Sequence, residues 1–277
     1  MDQINLSAWI DRREITTGGV DFATAQTARA TLGGGPLREG DRLPALWHWC
    51  AFRPTAEMAD LGPDGHPRPG DFLPPVRLNR RMWAGGALEF LRPLHVGERL
   101  TRETRIAGVS EKSGAAGDMV FVTLEHEIAG EAGLAIRERQ DIVYLQIPER
   151  FRAPKPTAPF DADATEPVMI SPPLLFRYSA ITFNAHRIHY DLPYTQEVEH
   201  YPDLVVHGPL QATLLMDLAT RHRGRAPSMF SFRGLHPVFA SDTVALALQK
   251  ASDAEWSLST VANDTHQGMH ARAIWEI

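Results

Sequence analysis

The 277-residue chain has few of the features that mark proteins other than ordinary globular ones. It has one cysteine, no apolar run near the ~20 residues that cross a bilayer, and no low-complexity segment. Cys50 cannot form a disulfide within the chain, and a cysteine-based zinc site would lack its ligands. The first residues also lack the basic start and apolar core of a signal peptide. These absences predict a cytoplasmic protein without a membrane partner.

An excess of basic charge is also lacking. The chain carries 28 basic and 34 acidic residues, for a net charge of −6, so we expect no nucleic-acid partner. Apolar residues make up 43% of the sequence, which is typical of a protein that buries a large core. The length fits either one large domain or two of ordinary size.

A proline-rich segment separates two parts of the chain. Residues 149–167, ERFRAPKPTAPFDADATEP, contain four prolines and no apolar periodicity, which is typical of an irregular linker. We therefore predict an amino-terminal domain over residues 1–150, a linker over 151–167 and a carboxy-terminal domain over 168–277.

The same order of strands is predicted on both sides of this linker. LEFLRPLHVGERLTRETRIAGV, FVTLEHEI and LAIRERQDIVYLQI read as strands before it, and MFSFRGLHPVFASDTVALALQKA, WSLSTVAN and MHARAIWEI read as strands after it. The spacing indicates an internal duplication. An offset of 144 relates Pro93, Glu98 and Leu100 to Pro237, Asp242 and Val244, and one of 135 relates Gly133 and Arg137 to Gly268 and Arg272.

One long helix is predicted in the second half, in HGPLQATLLMDLATRH. Apolar residues follow helical spacing there, and Pro209 suits a first turn. An earlier helix is predicted in DFATAQTARATL. The first-half stretch that matches the long helix, DFLPPVRLNRRMWAGG, is short and interrupted, so the first copy reads as degenerate. The predicted fold class is α+β, with an antiparallel sheet wrapped around a helix, twice.

Histidines concentrate just before the long helix. His186, His189 and His207 lie within 22 residues, and His186 and His189 would share a face of one helical turn. Imidazole is the commonest general acid or base in proteins. Two other interpretations stay open: a metal site of both histidines with Asp191, and a structural cluster.

The start of the long helix suits a developing negative charge. The Gly208 amide would lie at the positive end of the helix dipole without a partner in the helix, and could bind a carbonyl oxygen that gains negative charge, as an oxyanion hole. An ordinary turn into a helix is the plainer alternative.

The runs YSAITFNAHRIHYD and YPDLVVHGPLQATLL resemble the carboxy-terminal hot-dog domain of MaoC-like hydratases. LGPDGHPRPGDFLPPVRLNRRMWAGG is similar to the dehydratase-like first domain of the double hot-dog group, which includes mesaconyl-C4-CoA and itaconyl-CoA hydratases and hydroxyacyl-thioester dehydratase type 2. The resemblance implies a double hot-dog fold. It puts His189 on the catalytic histidine, whereas Asn184 stands where the wider family has aspartate and His186 where it has asparagine.

The resemblance implies reversible addition of water to a 2,3-enoyl-CoA thioester, without metal or cofactor. Gly208 would hold the carbonyl oxygen, His189 would be the acid/base, and Asn184 and His186 would orient the water. Five further residues would contact the substrate or coenzyme A: Arg177, Tyr178, Arg187, His207 and Arg233.

A short dicarboxylic acyl group is the expected substrate, and a homodimer the expected assembly. Three alternatives remain: a 3-hydroxyacyl-thioester dehydratase of fatty acid synthesis, an acyl-CoA thioesterase, and an acyl-CoA-binding module without catalysis. The first half is expected to be structural and to supply a wall of the ligand tunnel.

Overall fold

A computed structural model describes residues 5–114 and 117–276 as one ten-stranded antiparallel sheet with four α-helices. The strands are β1 Arg13–Gly19, β2 Arg80–Phe90, β3 Arg99–Gly114, β4 Gly117–Gly130, β5 Gly133–Leu145, β6 Ala164–Val168, β7 Met229–Gly234, β8 Val244–Lys250, β9 Glu255–Ala262 and β10 His266–Ile274. The helices are α1 Phe22–Leu32, α2 Pro172–Thr182, α3 Leu192–Glu197 and α4 Gly208–Arg223. In the described part of the chain, no helix is both long and apolar enough to cross a membrane.

The strand order shows the predicted duplication. It runs β1-β3-β4-β5-β2 through the first half and continues as β7-β10-β9-β8-β6 through the second. Read in reverse, the second order is β6-β8-β9-β10-β7, which is the first order with five added to each strand number. The two five-stranded units therefore share one topology, and the double hot-dog expectation is confirmed.

Two equivalent turns support the repeat at the level of residues. The Glu98 carboxylate accepts a hydrogen bond from the His95 amide at 2.9 Å, and the Asp242 carboxylate accepts one from the Phe239 amide at 2.8 Å. Both pairs are 144 residues apart, as predicted.

The second predicted offset is wrong by two residues. Phe90 is paired with Ile136, and its counterpart Gly234 is paired with Met269, which gives an offset of 133 instead of 135. The two strands share one irregularity, since Ala135 of β5 and Gly268 of β10 are each an extra residue opposite the partner strand, and these two residues are also 133 apart.

The predicted long helix is α4, which packs against β8, β9 and β10 through a buried face that includes Leu210, Leu215 and Leu218. Among residues 5–114 and 117–150, the first half has no counterpart to α4. Residues 33–79 hold only two short 3-10 turns among irregular backbone. Pro74 and Pro75 restrict the backbone there.

The predicted linker ends earlier than expected. Residues 149–163 form no regular element, but residues 164–168 form β6, which pairs with β8. Pro167 is tolerated because β6 is the edge strand of the sheet. The sequence did not predict this strand, because ADATEP has the small, acidic and proline residues that are typical of a loop.

The two halves meet along β2 and β7, which pair from Gly85–Arg233 to Glu89–Met229. The approach is close: a Cβ atom at Gly85 would lie 2.6 Å from the carbonyl oxygen of Phe232. Residues of both halves also share one buried apolar cluster. The irregular segment 33–79 of the first half and the first turn of α4 in the second half therefore belong to one continuous structure.

Candidate active site

A cavity of about 1150 Å³ lies between the halves. Strands β2 and β5 of the first half line it, together with the histidine segment and the start of α4 from the second half. All four predicted catalytic residues lie in its wall: Asn184, His186, His189 and Gly208. The fold thus brings together groups that are up to 24 residues apart in sequence.

His189 lies in the 3-10 turn Arg187–His189 and presents a free nitrogen to the cavity. Its Nδ1 lies 2.7 Å from the carbonyl oxygen of Val205, so Nδ1 carries the hydrogen that this oxygen accepts. Nε2 is then the nitrogen with a lone pair. A neutral imidazole with one nitrogen fixed in this way is prepared to accept a proton at the other.

His207 supports His189. Its ring is stacked on the His189 ring, with centroids 3.6 Å apart and planes inclined by 20°. Its Nε2 lies 2.8 Å from the Ser179 hydroxyl, and the side chain is fully buried. Tyr178 meets His207 edge-on at 5.0 Å and is also buried. Neither residue belongs to the cavity wall, so a contact of either with the substrate stays a prediction.

Asn184 offers the cavity a donor and not a base. Its Oδ1 accepts a hydrogen bond from the His186 amide at 3.0 Å, so its oxygen is engaged and the NH₂ group remains. His186 is buried, and its Nε2 has no hydrogen-bond partner among the described residues. These two side chains can orient a polar ligand, but Asn184 cannot remove a proton from water.

Gly208 begins α4, and its amide is one of those that an α-helix leaves without an internal partner. The residue lies in the cavity wall, half-buried. A thioester carbonyl placed there would accept a hydrogen bond from this amide at the positive end of the α4 dipole.

The three predicted substrate-binding arginines lie outside the cavity wall. Arg177 donates to the carbonyl oxygen of Ala30, Arg187 forms an ion pair with Asp191 at 2.8 Å, and Arg233 is exposed on β7. Their guanidinium groups therefore serve helix contacts, a local ion pair and the surface, and we do not assign them to the substrate.

Sequence reasoning missed a contribution from the first half. Asp64 Oδ2 lies 2.8 Å from His66 Nδ1, and the centroid of the His66 ring lies 4.1 Å from that of His186. His66 and Arg81 are both in the cavity wall. The available signal was an acid and an imidazole at i and i+2 around Gly65, but their distance from the histidine segment in sequence concealed the contact.

The electrostatics keep these imidazoles neutral. Burial lowers the pKa of His189 to about 4. Burial and then the charge of Arg81 lower the pKa of His66 to about 4, against the opposing effect of Asp64. Burial likewise lowers the pKa of both His186 and His207. Burial raises the pKa of Asp64, but the hydrogen bond and charge of His66 outweigh it, so that pKa is lowered.

Asp64, His66 and His186 could also hold a metal ion, since one ligand atom of each lies within 4.8 Å of the others. This group differs from the set considered on sequence alone, His186, His189 and Asp191. Asp191 instead pairs with Arg187 and accepts a hydrogen bond from the Tyr194 amide at the start of α3.

Comparison with known proteins identifies the family of the chain. A model of the family "hydroxyacyl-thioester dehydratase type 2" matches residues 46–240. The mesaconyl-C(4)-CoA hydratase of Chloroflexus aurantiacus is 45% identical over 244 residues, covering 86% of this chain and 87% of that protein. The mitochondrial hydroxyacyl-thioester dehydratase type 2 of Schizosaccharomyces pombe is 28% identical, covering 75% of this chain and 78% of that protein.

Among solved structures, a MaoC-like dehydratase from Phytophthora capsici superposes with a TM-score of 0.72 at 14% identity, covering 99% of this chain and 98% of that one. That likeness concerns the fold. The match over residues 46–240 and the 45% identity concern the family. The chain belongs to the hydroxyacyl-thioester dehydratase type 2 family and is an enzyme of its hydratase and dehydratase class.

Proposed function

We propose that this enzyme adds water reversibly to the 2,3 double bond of a short dicarboxylic enoyl-CoA. The observation that carries the proposal is the convergence of the unpaired Gly208 amide and the free Nε2 of His189 on one cavity. One group suits an enolate oxygen, and the other suits a water molecule that loses a proton.

The reaction follows from these positions. The Gly208 amide donates to the thioester oxygen, which gains negative charge as the water oxygen bonds to C3. His189 contacts the water through Nε2 and acts as acid/base with it or with C2, while the Asn184 NH₂ group orients the reactants. A proton returns to C2, and the product is a 3-hydroxyacyl thioester. Elimination of water from that product is the same path in reverse.

Arg81 supports a second carboxylate on the substrate. It projects from β2 into the cavity wall, and it forms no ion pair with any residue that the structure describes. Neighbouring Arg80, in contrast, is paired with Glu199. A free guanidinium can form a bidentate pair with a carboxylate, which a plain hydrocarbon chain cannot provide. The 45% identity to a mesaconyl-C(4)-CoA hydratase supports the same class of substrate.

The test is a substrate panel of mesaconyl-C4-CoA, itaconyl-CoA and crotonyl-CoA, followed by loss of the enoyl absorbance. We expect the highest kcat/KM on a dicarboxylic thioester. Preference for crotonyl-CoA would contradict the substrate class. Release of free coenzyme A without hydration would show a thioesterase, and binding without turnover on every thioester would show a binding module.

Arg81→Met tests whether the guanidinium binds the second carboxylate of the substrate or the coenzyme A part. We expect kcat/KM to fall at least tenfold on the dicarboxylic substrate and little on crotonyl-CoA. Arg177→Met is the matched control, because that side chain lies outside the cavity wall, and it should leave both values unchanged. Equal losses on both substrates in Arg81→Met would assign this group to coenzyme A.

We further propose that the enzyme works in the cytoplasm as a homodimer. The support is its family and its composition, with one cysteine that is buried. Light scattering after gel filtration should give twice the chain mass of 30.8 kDa. A monomeric mass would contradict the dimer.

A further inference from the structure

We propose that His66, backed by Asp64, is a second catalytic acid–base residue, supplied to the reaction by the amino-terminal half. The proposal deepens the proposed function and rests on it. It assigns a chemical role to a half of the chain that sequence reasoning treated as structural.

The loop that carries His66 is fixed against the histidine segment. The Arg187 amide donates to the carbonyl oxygen of Asp64 at 2.9 Å, and Nη1 of Arg187 donates to that of Pro63 at 3.0 Å. Gly65 makes this approach possible: its φ is +89°, and a Cβ atom there would lie 1.9 Å from the carbonyl oxygen of Ala185. The position of His66 relative to the second half is therefore specified by backbone contacts.

The hydrogen bond to Asp64 defines the chemistry of the His66 ring. Nδ1 donates its hydrogen to the ionised carboxylate, so Nε2 carries the lone pair. A carboxylate in this position orients the imidazole and stabilises the imidazolium that forms when Nε2 accepts a proton. His189 lacks this support, because its Nδ1 donates to a neutral carbonyl group.

The neighbouring groups leave the acid–base role open to His66. Asn184 cannot accept a proton from water, and its oxygen is already engaged. His186 lies between the two outer rings, with centroids 4.1 Å from His66 and 5.3 Å from His189. Its buried, unpartnered Nε2 marks the polar region that a water molecule or substrate would complete.

The step balances without a further reactant. In hydration, one O–H bond of water breaks and its proton passes to Nε2 of His66 while the oxygen bonds to C3. The π electrons of the double bond become the enolate pair held by the Gly208 amide. The proton then returns from His66 to C2. Nε2 of His189 accepts a hydrogen bond from the O–H group that stays intact, which directs an oxygen lone pair toward C3.

The experiment compares His66→Gln and Asp64→Asn with wild type on the best enoyl-CoA of the panel. The matched control is His222→Gln, since His222 and Glu166 form the same kind of pair, with 2.8 Å between Nε2 and Oε1, on the exposed surface. We expect kcat of His66→Gln to fall ~10²- to 10⁴-fold with little change in KM. The control should keep wild-type values.

Turnover of His66→Gln within threefold of wild type would overturn the proposal, provided wild type hydrates the substrate and His189→Ala does not. Absence of wild-type turnover would instead refute the proposed function. If His66→Gln unfolds, His66→Gly with added imidazole replaces it, and we expect imidazole to restore part of the rate. No restoration in a folded His66→Gly variant counts against the proposal.

Asp64 acts through His66, so its test needs a readout that mere structural support would not change. The hydrogen bond and charge of Asp64 raise the pKa of His66. Asp64→Asn should therefore lower kcat and move the acid limb of the kcat/KM profile to lower pH. An unmoved limb would contradict the role given to Asp64.

Chelation of the wild-type enzyme tests whether these residues bind a metal instead. Wild-type enzyme treated with EDTA should keep its activity, and added Zn²⁺ or Mn²⁺ should not raise it. Loss on chelation with recovery on metal addition would show that Asp64, His66 and His186 are ligands, and would overturn the acid–base role.

Discussion

At the scale of residues, the site depends on how each polar group is oriented. The Val205 carbonyl selects one tautomer of His189, and the His186 amide selects the orientation of Asn184. Asp64 selects the tautomer of His66. In each case one polar atom of the side chain is hydrogen-bonded to the protein, and the other is available to a ligand in the cavity. The reactive nitrogens are thus set by hydrogen bonds that a sequence pattern does not reveal.

Gly65 is the residue on which the contact between the two halves most directly depends. Gly65→Ala places a Cβ atom 1.9 Å from the Ala185 carbonyl oxygen at a φ of +89°. We expect the loop to move away and kcat/KM to fall at least tenfold. Gly40→Ala is the control: its φ is +78°, and nothing lies within 4 Å of the added atom. It should cost ~1–2 kcal/mol in stability and leave the activity unchanged. Equal activities of both variants would contradict this account.

The buried imidazoles predict a pH-dependent stability. The pKa values of His66, His126 and His189 are about 4 in the folded protein, against an ordinary 6.5. Between pH 6.5 and 4 the unfolded chain binds protons that the folded chain does not. The free energy of unfolding should therefore decrease as the pH is lowered from 6.5 to 4, by up to ~1.4 kcal/mol per pH unit for each such histidine.

Urea unfolding at pH 7.5, 6.5 and 5.5 measures this dependence. His126→Gln should reduce the slope, because it removes one buried imidazole outside the cavity wall. His95→Gln should not, because that side chain is 42% exposed. A free energy of unfolding that stays constant from pH 7.5 to 5.5 would refute the neutral state of these histidines.

At the scale of elements, most of the fold could be predicted and the site only in part. Period-two alternation located β3 to β5 and β7 to β10, and helical spacing located α1 and α4. Only the end of β2 was predicted, because residues 71–86 were matched to the long helix and residues 80–86 of them are strand. The edge strands β1 and β6 were missed, because an edge strand needs little apolar sequence and tolerates proline, and the short helices α2 and α3 were missed as well. The His66 contact was missed because it joins residues about 120 apart through backbone hydrogen bonds, which leave no periodic signal.

One ion pair fixes β2 against the segment that follows α3. Nε of Arg80 donates to Oε2 of Glu199 at 2.6 Å, and both side chains are buried. Glu199→Gln would leave the Arg80 guanidinium without its countercharge, which costs ~3–5 kcal/mol for buried pairs. The measurement is the free energy of unfolding in urea.

Asp217→Asn provides the comparison. It removes an exposed partner of Arg221 and should cost less than ~1 kcal/mol. If Glu199→Gln costs no more than this control, the Arg80–Glu199 pair does not hold the two elements together.

At the scale of the whole molecule, the duplication explains the cavity. The second half keeps its central helix, and the first replaces it with the irregular segment 33–79 that carries Asp64 and His66. We propose that the division into two domains falls within residues 146–163, ahead of β6. The loss of one helix leaves room for a ligand, and the segment in its place reaches across to the other half.

The second half alone should therefore be inactive. Residues 160–277 contain His189 and Gly208 but lack His66 and Arg81, and they expose the β7 edge that pairs with β2. We expect an insoluble product or one without turnover. Expression of this fragment with sedimentation and a hydration assay checks it. A soluble fragment with full activity would show that the first half is dispensable.

The most direct test of the account is the rate of enoyl absorbance loss with His189→Ala against wild type, on the best thioester of the panel. The account predicts a folded variant whose kcat/KM is lower by ~10² to 10⁴, because the reacting water loses the imidazole that binds and orients it. A folded His189→Ala enzyme that hydrates the thioester at nearly the wild-type rate would contradict it.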